Sequence, residues 1–150
     1  MSRIVSYSRS RLVSRHRGTL PILLTCPHDG GETPPDVRER TDARTPSDCT
    51  GGNRFRNGRD GGTNEITRRI AQRMYQAFGE SPYVVIAEFS RRFIDANRPS
   101  DKRNSNCAFV DSDARKFYDE YHKWINTYVN HILSNNNKRT VSYLISTGHG

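Results

Sequence analysis

The sequence is poor in apolar residues, in cysteine and, over its first twenty positions, in acids. Hydrophobic side chains make up 33% of the 150 residues and glycine adds 11 more, which stays below the roughly 45–50% apolar usage of an average globular domain. The core is therefore modest, and the length suits one domain. No stretch approaches the ~18–20 consecutive apolar residues of a membrane span. The longest candidate runs only from Leu20 to Cys26, so a membrane-embedded role is excluded. Three cysteines, Cys26, Cys49 and Cys107, are an odd number without the spacing of a thiolate knuckle or a disulfide scaffold. This points to a reducing, cytoplasmic setting, with Cys26 as a small buried side chain.

Residues 1–20 contain five Arg, five Ser and neither Asp nor Glu, and so carry +5 of the formal net charge of +8. The remainder is nearly balanced, which argues against a polyanion-binding body. An acid-free, Arg/Ser-rich start fits a transit peptide, a nucleic-acid-binding arm or a solvated lead-in. Without an apolar signal core or interleaved aromatics, the reading adopted is a flexible basic lead-in over residues 1–19. The domain then spans 20–150, and nucleic acid is not its expected partner.

Hydrophobic periodicity divides that domain. Leu20 to Cys26 is a continuous apolar run bounded by Gly18 and Pro27, as in a strand buried on both faces. Asp29 to Gly62 is broken by Pro34-Pro35 and Gly51-Gly52 and reads as a long loop. Ile66, Ile70, Met74 and Phe78, with Ala71 and Tyr75 beside them, form a core-facing helical stripe that stops at Gly79. Pro82 to Ala87 is a second strand. A longer helix follows from about Ser112 to Ser134, with Phe117, Tyr121, Trp124 and Tyr128 as its stripe. Thr140 to Ser146 is a third strand. Strand, helix, strand, helix, strand predicts an α/β fold with a mainly parallel sheet and flanking helices. Three strands are few for an open sheet, so the domain is expected to be incomplete at its C-terminus.

Ligands of open α/β sheets sit beyond the carboxyl ends of the strands. Those ends here carry Pro27-His28-Asp29-Gly30-Gly31-Glu32, Ser90 to Pro99, and Thr147-Gly148-His149-Gly150. A catalytic zinc takes three protein ligands, and two His with one carboxylate is a recognised set. His28, Glu32 and His149 supply it, with Gly30 and Gly31 requiring a tight turn; the alternative is a turn whose histidine closes a strand end. Asn97 beside Arg98 suits a substrate carboxylate, which a guanidinium fork grips bidentately. A further arginine could stabilise the oxyanion of a hydrolysed amide, and Asp95 could orient either arginine.

The PHDGGE segment, Arg59 to Glu65 (RDGGTNE), SRRFIDANRP, Tyr118 to His122 and the terminal GHG, in this order, resemble the N-formylglutamate amidohydrolase family over about residues 20–150. The resemblance implies a phosphorylase/hydrolase-like fold of the zinc carboxypeptidase and aspartoacylase type. It also implies one zinc ion on His28, Glu32 and His149, with Asn97 and Arg98 clamping the substrate carboxylate. Arg91 would polarise the carbonyl, and Asp60 would shape the site. The expected activity is hydrolysis of the amide of an N-formyl or other N-acyl acidic amino acid. Tyr118, Tyr121 and His122 match the family's tyrosine-rich helix, although packing accounts for them as well. Thr147 stands where the family carries an acid, and the family's general base is expected beyond residue 150. Two alternatives stay open: a non-catalytic truncated relative, and a basic nucleic-acid-binding protein acting through its Arg-rich start.

Overall fold

A computed structural model describes residues 5–41, 57–100, 107–135 and 142–145. Its strands are β1 (Ser8–Ser10), β2 (Val13–His16), β3 (Ile22–Cys26), β4 (Tyr83–Ala87) and β5 (Ser142–Ile145). Its helices are α1 (Thr63–Phe78) and α2 (Arg115–Asn135), the latter preceded by a 3-10 turn over Ser112–Ala114. The sheet order is β1-β2-β4-β3-β5. β3 pairs in parallel with both β4 and β5, whereas β1 with β2 and β2 with β4 are antiparallel. The class is α/β as expected, but the sheet is mixed, not mainly parallel.

The difference lies in residues 8–16, which composition assigns to a flexible lead-in. They form a hairpin closed by Arg11 and Leu12, at φ 45° and 61°. Two central residues at positive φ match the twist of paired strands, but Asn-Gly is the pair that signals such a turn. Val13 nonetheless enters the core with 0% exposure, and a strand needs little more to hold its register on one buried face.

Alternation along β3 and β4 divides the interior into two layers. Leu23, Tyr83, Val85 and Ala87 face α2 and join Phe117, Tyr121, Tyr128 and Ile132 in the larger core. Leu24, Cys26, Val84 and Ile86 face α1 in a smaller cluster. The α2 stripe is as expected. That of α1 is rotated: Thr67 and Ala71 are its buried residues, while Ile66 and Phe78 are 55% and 67% exposed. The shallow layer beneath α1 admits small side chains and leaves the larger ones at its rim. Among the described residues no helix is long and apolar enough to cross a membrane. Cys26 is free and buried, but Cys107 is disulfide-bonded, so cysteine usage no longer argues for a reducing compartment.

The chain entering α2 is tied back to the first long loop by Asp111. Its carboxylate accepts from the Asp113 N–H at 3.1 Å, and from the Arg38 N–H and Nε at 3.1 and 3.0 Å. The two backbone N–H groups and then the guanidinium hold its pKa below the usual carboxylate value. A depressed carboxylate stabilises the fold fully above its unfolded pKa and ceases to do so as pH falls through its lower folded value. Asp111→Ala should therefore cost about 1–2 kcal/mol at neutral pH, the usual range for a lost cap. In urea melts the gap to the parent should narrow below about pH 4; a gap independent of pH would refute the capping account.

Candidate active site

The ends of β3 and β4 are bound together by their backbones before any side chain matters. Glu32 makes an isolated parallel bridge with Phe89: its N–H donates to the Glu88 carbonyl and its carbonyl accepts from the Ser90 N–H. Gly30 makes this approach possible, since a Cβ there would lie 2.3 Å from the Phe89 oxygen. Gly30→Ala should destabilise by about 1–3 kcal/mol, as overpacking does. Gly31→Ala, whose Cβ would meet only the Arg59 side chain at 3.5 Å, should be tolerated. Equal melting temperatures for the two variants would contradict this reading.

His28, just past β3, is 4% exposed. Its Nε2 lies 2.7 Å from Asp95 Oδ1 and its Nδ1 3.1 Å from Asp60 Oδ2. Asp60 is placed by its own N–H, which donates to the His28 carbonyl, and by the turn into α1, where its carbonyl accepts from Thr63 N–H and Oγ1. Asp95 is fully buried and is the hub of the site. It also accepts from Arg91 Nε at 2.9 Å and from the Asn97 N–H at 3.0 Å, with Arg40 and Arg98 each at 3.9 Å. Burial alone would raise this carboxyl, but the hydrogen bond from His28, its charge, and the Arg91 and Arg40 guanidiniums outweigh it and hold the carboxyl well below the usual range.

Arg91 is buried at 8% exposure; besides Asp95, its Nη1 stands 3.9 Å from Asp60. Its guanidinium thus braces the two carboxylates that flank His28. Asn97 and Arg98 are exposed and sit side by side at the rim of this cluster. Their loop is held from beneath by α2, where Tyr118 Oη donates to the Arg98 carbonyl at 2.8 Å and His122 Nε2–H donates to the Ala96 carbonyl at 3.0 Å. Burial lowers the His122 pKa, in keeping with a neutral ring that donates one proton.

Glu32 lies apart from His28's partners. Its side chain is half exposed and ion-paired with Arg9 of β1. His149 lies outside the described residues. Among the described residues no three His, Cys, Asp or Glu side chains form a group that could hold a metal ion. A carboxylate on one ring nitrogen is the usual surrounding of a metal-binding imidazole, but here both nitrogens of His28 face carboxylates. In this arrangement a zinc ion on His28 would have to displace one of those carboxylates and draw Glu32 away from Arg9.

Two contributors escape a reading of spacing. Arg40 is buried, donating from Nη1 to the Arg91 carbonyl and from Nη2 to the Cys107 carbonyl. Burial, then the Arg91 and Arg98 charges, push its pKa down to about 10 against the opposing pull of Asp95. Asp29 accepts the Asn64 N–H at 2.7 Å and Arg59 Nε at 2.6 Å. It thereby caps α1, whose own N-cap is Gly62, from a distance of 35 residues.

The N-formylglutamate amidohydrolase family profile matches residues 20–113. No curated protein and no solved structure matches the chain. The matched segment covers well over half of the chain. It includes the His28, Asp60, Arg91, Asp95, Asn97 and Arg98 positions that the fold gathers at the ends of β3 and β4, and it stops before α2 and His149. With that match over the segment that builds the site, the chain belongs to the N-formylglutamate amidohydrolase family, a family of hydrolases.

Proposed function

We propose that the chain is a zinc-dependent amidohydrolase that opens the amide of an N-formyl or other N-acyl acidic amino acid with water. The observation that carries this reading is the division of labour around Asp95. Inward, it holds His28 and Arg91 in a buried, charged cluster; outward, its turn presents Asn97 and Arg98 to solvent. A substrate carboxylate gripped by Arg98 and the Asn97 amide would be fixed at one end. Its acyl group would then reach toward His28.

His28, Glu32 and His149 are the ligands that the family resemblance implies. To serve, His28 would exchange one carboxylate contact and Glu32 would leave Arg9. When bound there, zinc would supply a water reactive at neutral pH and polarisation of the carbonyl. The protein's part is to place the substrate and to keep the charges around His28 fixed before the reaction begins. Arg91, braced between Asp95 and Asp60, would add positive charge beside the carbonyl oxygen without moving.

Two measurements on purified protein test this: formate release from N-formyl-glutamate, and zinc per chain by elemental analysis, each repeated on His28→Ala. Hydrolysis with about one zinc per chain, both lost in the variant, is the expected result. A folded protein that releases no formate with or without added zinc would overturn the reading and favour a non-catalytic relative.

A further inference from the structure

At the other end of the sheet, where His16 of β2 pairs with Val84 near the start of β4, a cavity of about 400 Å³ opens between the β1–β2 hairpin and α2. Its lining includes Arg15, Arg17, Trp124, Tyr128 and His131, together with the serines of the first strand region, Ser6 and Ser8. Among the described residues, no Asp or Glu lines it. Nor does any carboxylate ion-pair with Arg15 or Arg17, in contrast to Arg9, Arg59, Arg68, Arg69 and Arg92, each of which has one.

The two guanidiniums are set up differently. Arg15 stacks over the Trp124 ring at 3.8 Å from its centroid and donates from Nη1 to Ser10 Oγ at 3.1 Å. Stacking on an aromatic face holds the planar fork still while leaving its other N–H groups to be satisfied from the cavity. Arg17 is exposed and stands beyond the end of β2. Both cations act on the Tyr128 hydroxyl: burial raises its pKa, and Arg15 and Arg17 pull the other way. His131 packs against Tyr128 and Tyr83, and its Nδ1 is buried without a protein partner among the described residues. A buried ring nitrogen left unpaired costs free energy that a ligand atom can recover.

We infer that this cavity is a binding site for a phosphate group, gripped by Arg15 and Arg17 with hydroxyl donors from Ser6, Ser8 and Tyr128. Arg15 reaches the Glu120 carboxylate only through the Ser10 hydroxyl, and a tetrahedral, multiply charged oxyanion is what two forks without a direct ion pair and a ring of short donors can satisfy at once. The site lies at the opposite end of β4 from His28, so it stands whether or not the amidohydrolase reading does. The phosphate can belong to a free organic phosphate or to a nucleic-acid backbone, and the two sources differ in their salt dependence.

Titration calorimetry of the full chain with pyrophosphate tests it, on the parent, Arg17→Ala and Arg15→Gln. Arg17 is exposed, so its variant keeps the test valid even if loss of the Trp124 stack harms the fold of the other. Saturable binding that weakens at least about tenfold in Arg17→Ala, the loss expected of one charge-assisted contact, supports the site. A single-stranded oligonucleotide that competes with pyrophosphate, depends on Arg17 and loses affinity steeply with salt also supports it and assigns the phosphate to a backbone. Absence of saturable pyrophosphate binding by the parent, or binding equal in parent and Arg17→Ala, overturns it.

Discussion

Asp95→Ala should cost the fold about 3–5 kcal/mol, the penalty for removing one partner of a buried charge cluster. The size follows from what the substitution leaves behind. Five groups meet this carboxylate: His28, Arg91 and the Asn97 N–H at 3.0 Å or closer, and Arg40 and Arg98 at 3.9 Å. His28, Arg91 and Arg40 are all below 9% exposure, so water cannot replace the lost acceptor. Against a total stability of about 5–15 kcal/mol for a domain, the variant sits near the threshold of folding. Urea unfolding checks this, with a lower midpoint and an unchanged slope as the expected pattern. Pairing the substitution with Arg91→Met should recover part of the loss, because contacting residues are not additive. A single-variant loss under about 1 kcal/mol would mean that the cluster is hydrated and that Asp95 is no hub.

Much of this arrangement is legible in the chain, for identifiable reasons. β3 and β4 are continuous apolar runs because both their faces are covered, and such runs announce themselves. The strand ends carry His28, Arg91, Asn97 and Arg98 at positions where any open α/β sheet builds its site, and the fold does bring the first two onto Asp95. What escaped was whatever depends on contact between distant segments. Asp29 caps α1 across 35 residues, and Arg40 reaches Arg91 and Cys107 from the middle of a Pro- and Gly-broken loop. Nothing in local pattern distinguishes either from a solvated charge. The β1–β2 hairpin was hidden for the opposite reason. Its composition is that of a basic tail, and a single buried apolar residue, Val13, with Ser14 buried beside it, docks it. Glu32 shows the limit of motif spacing: four residues from His28 in sequence, it faces Arg9 on that hairpin.

On the proposed function, Arg98→Ala should raise KM for N-formyl-glutamate and lower kcat/KM by roughly 30- to 150-fold, the equivalent of about 2–3 kcal/mol for a lost charge-assisted contact. Most of the effect belongs in KM, because a grip on a carboxylate remote from the scissile amide is made equally in the ground and transition states. The fold should be indifferent. The Arg98 side chain is 46% exposed and its contact with Asp95 is at 3.9 Å, so urea midpoints of parent and variant should coincide. Lysine at this position restores charge without the planar fork and should recover only part of the loss. Tyr118→Phe is the sharper companion. It removes the hydrogen bond that fixes the Arg98 carbonyl from α2 and leaves the guanidinium itself in place. If Arg98 works as a clamp, loosening its backbone should raise KM as well, by less than removing the side chain. A kcat that falls with KM unchanged in both variants would instead put Arg98 beside the reacting carbonyl.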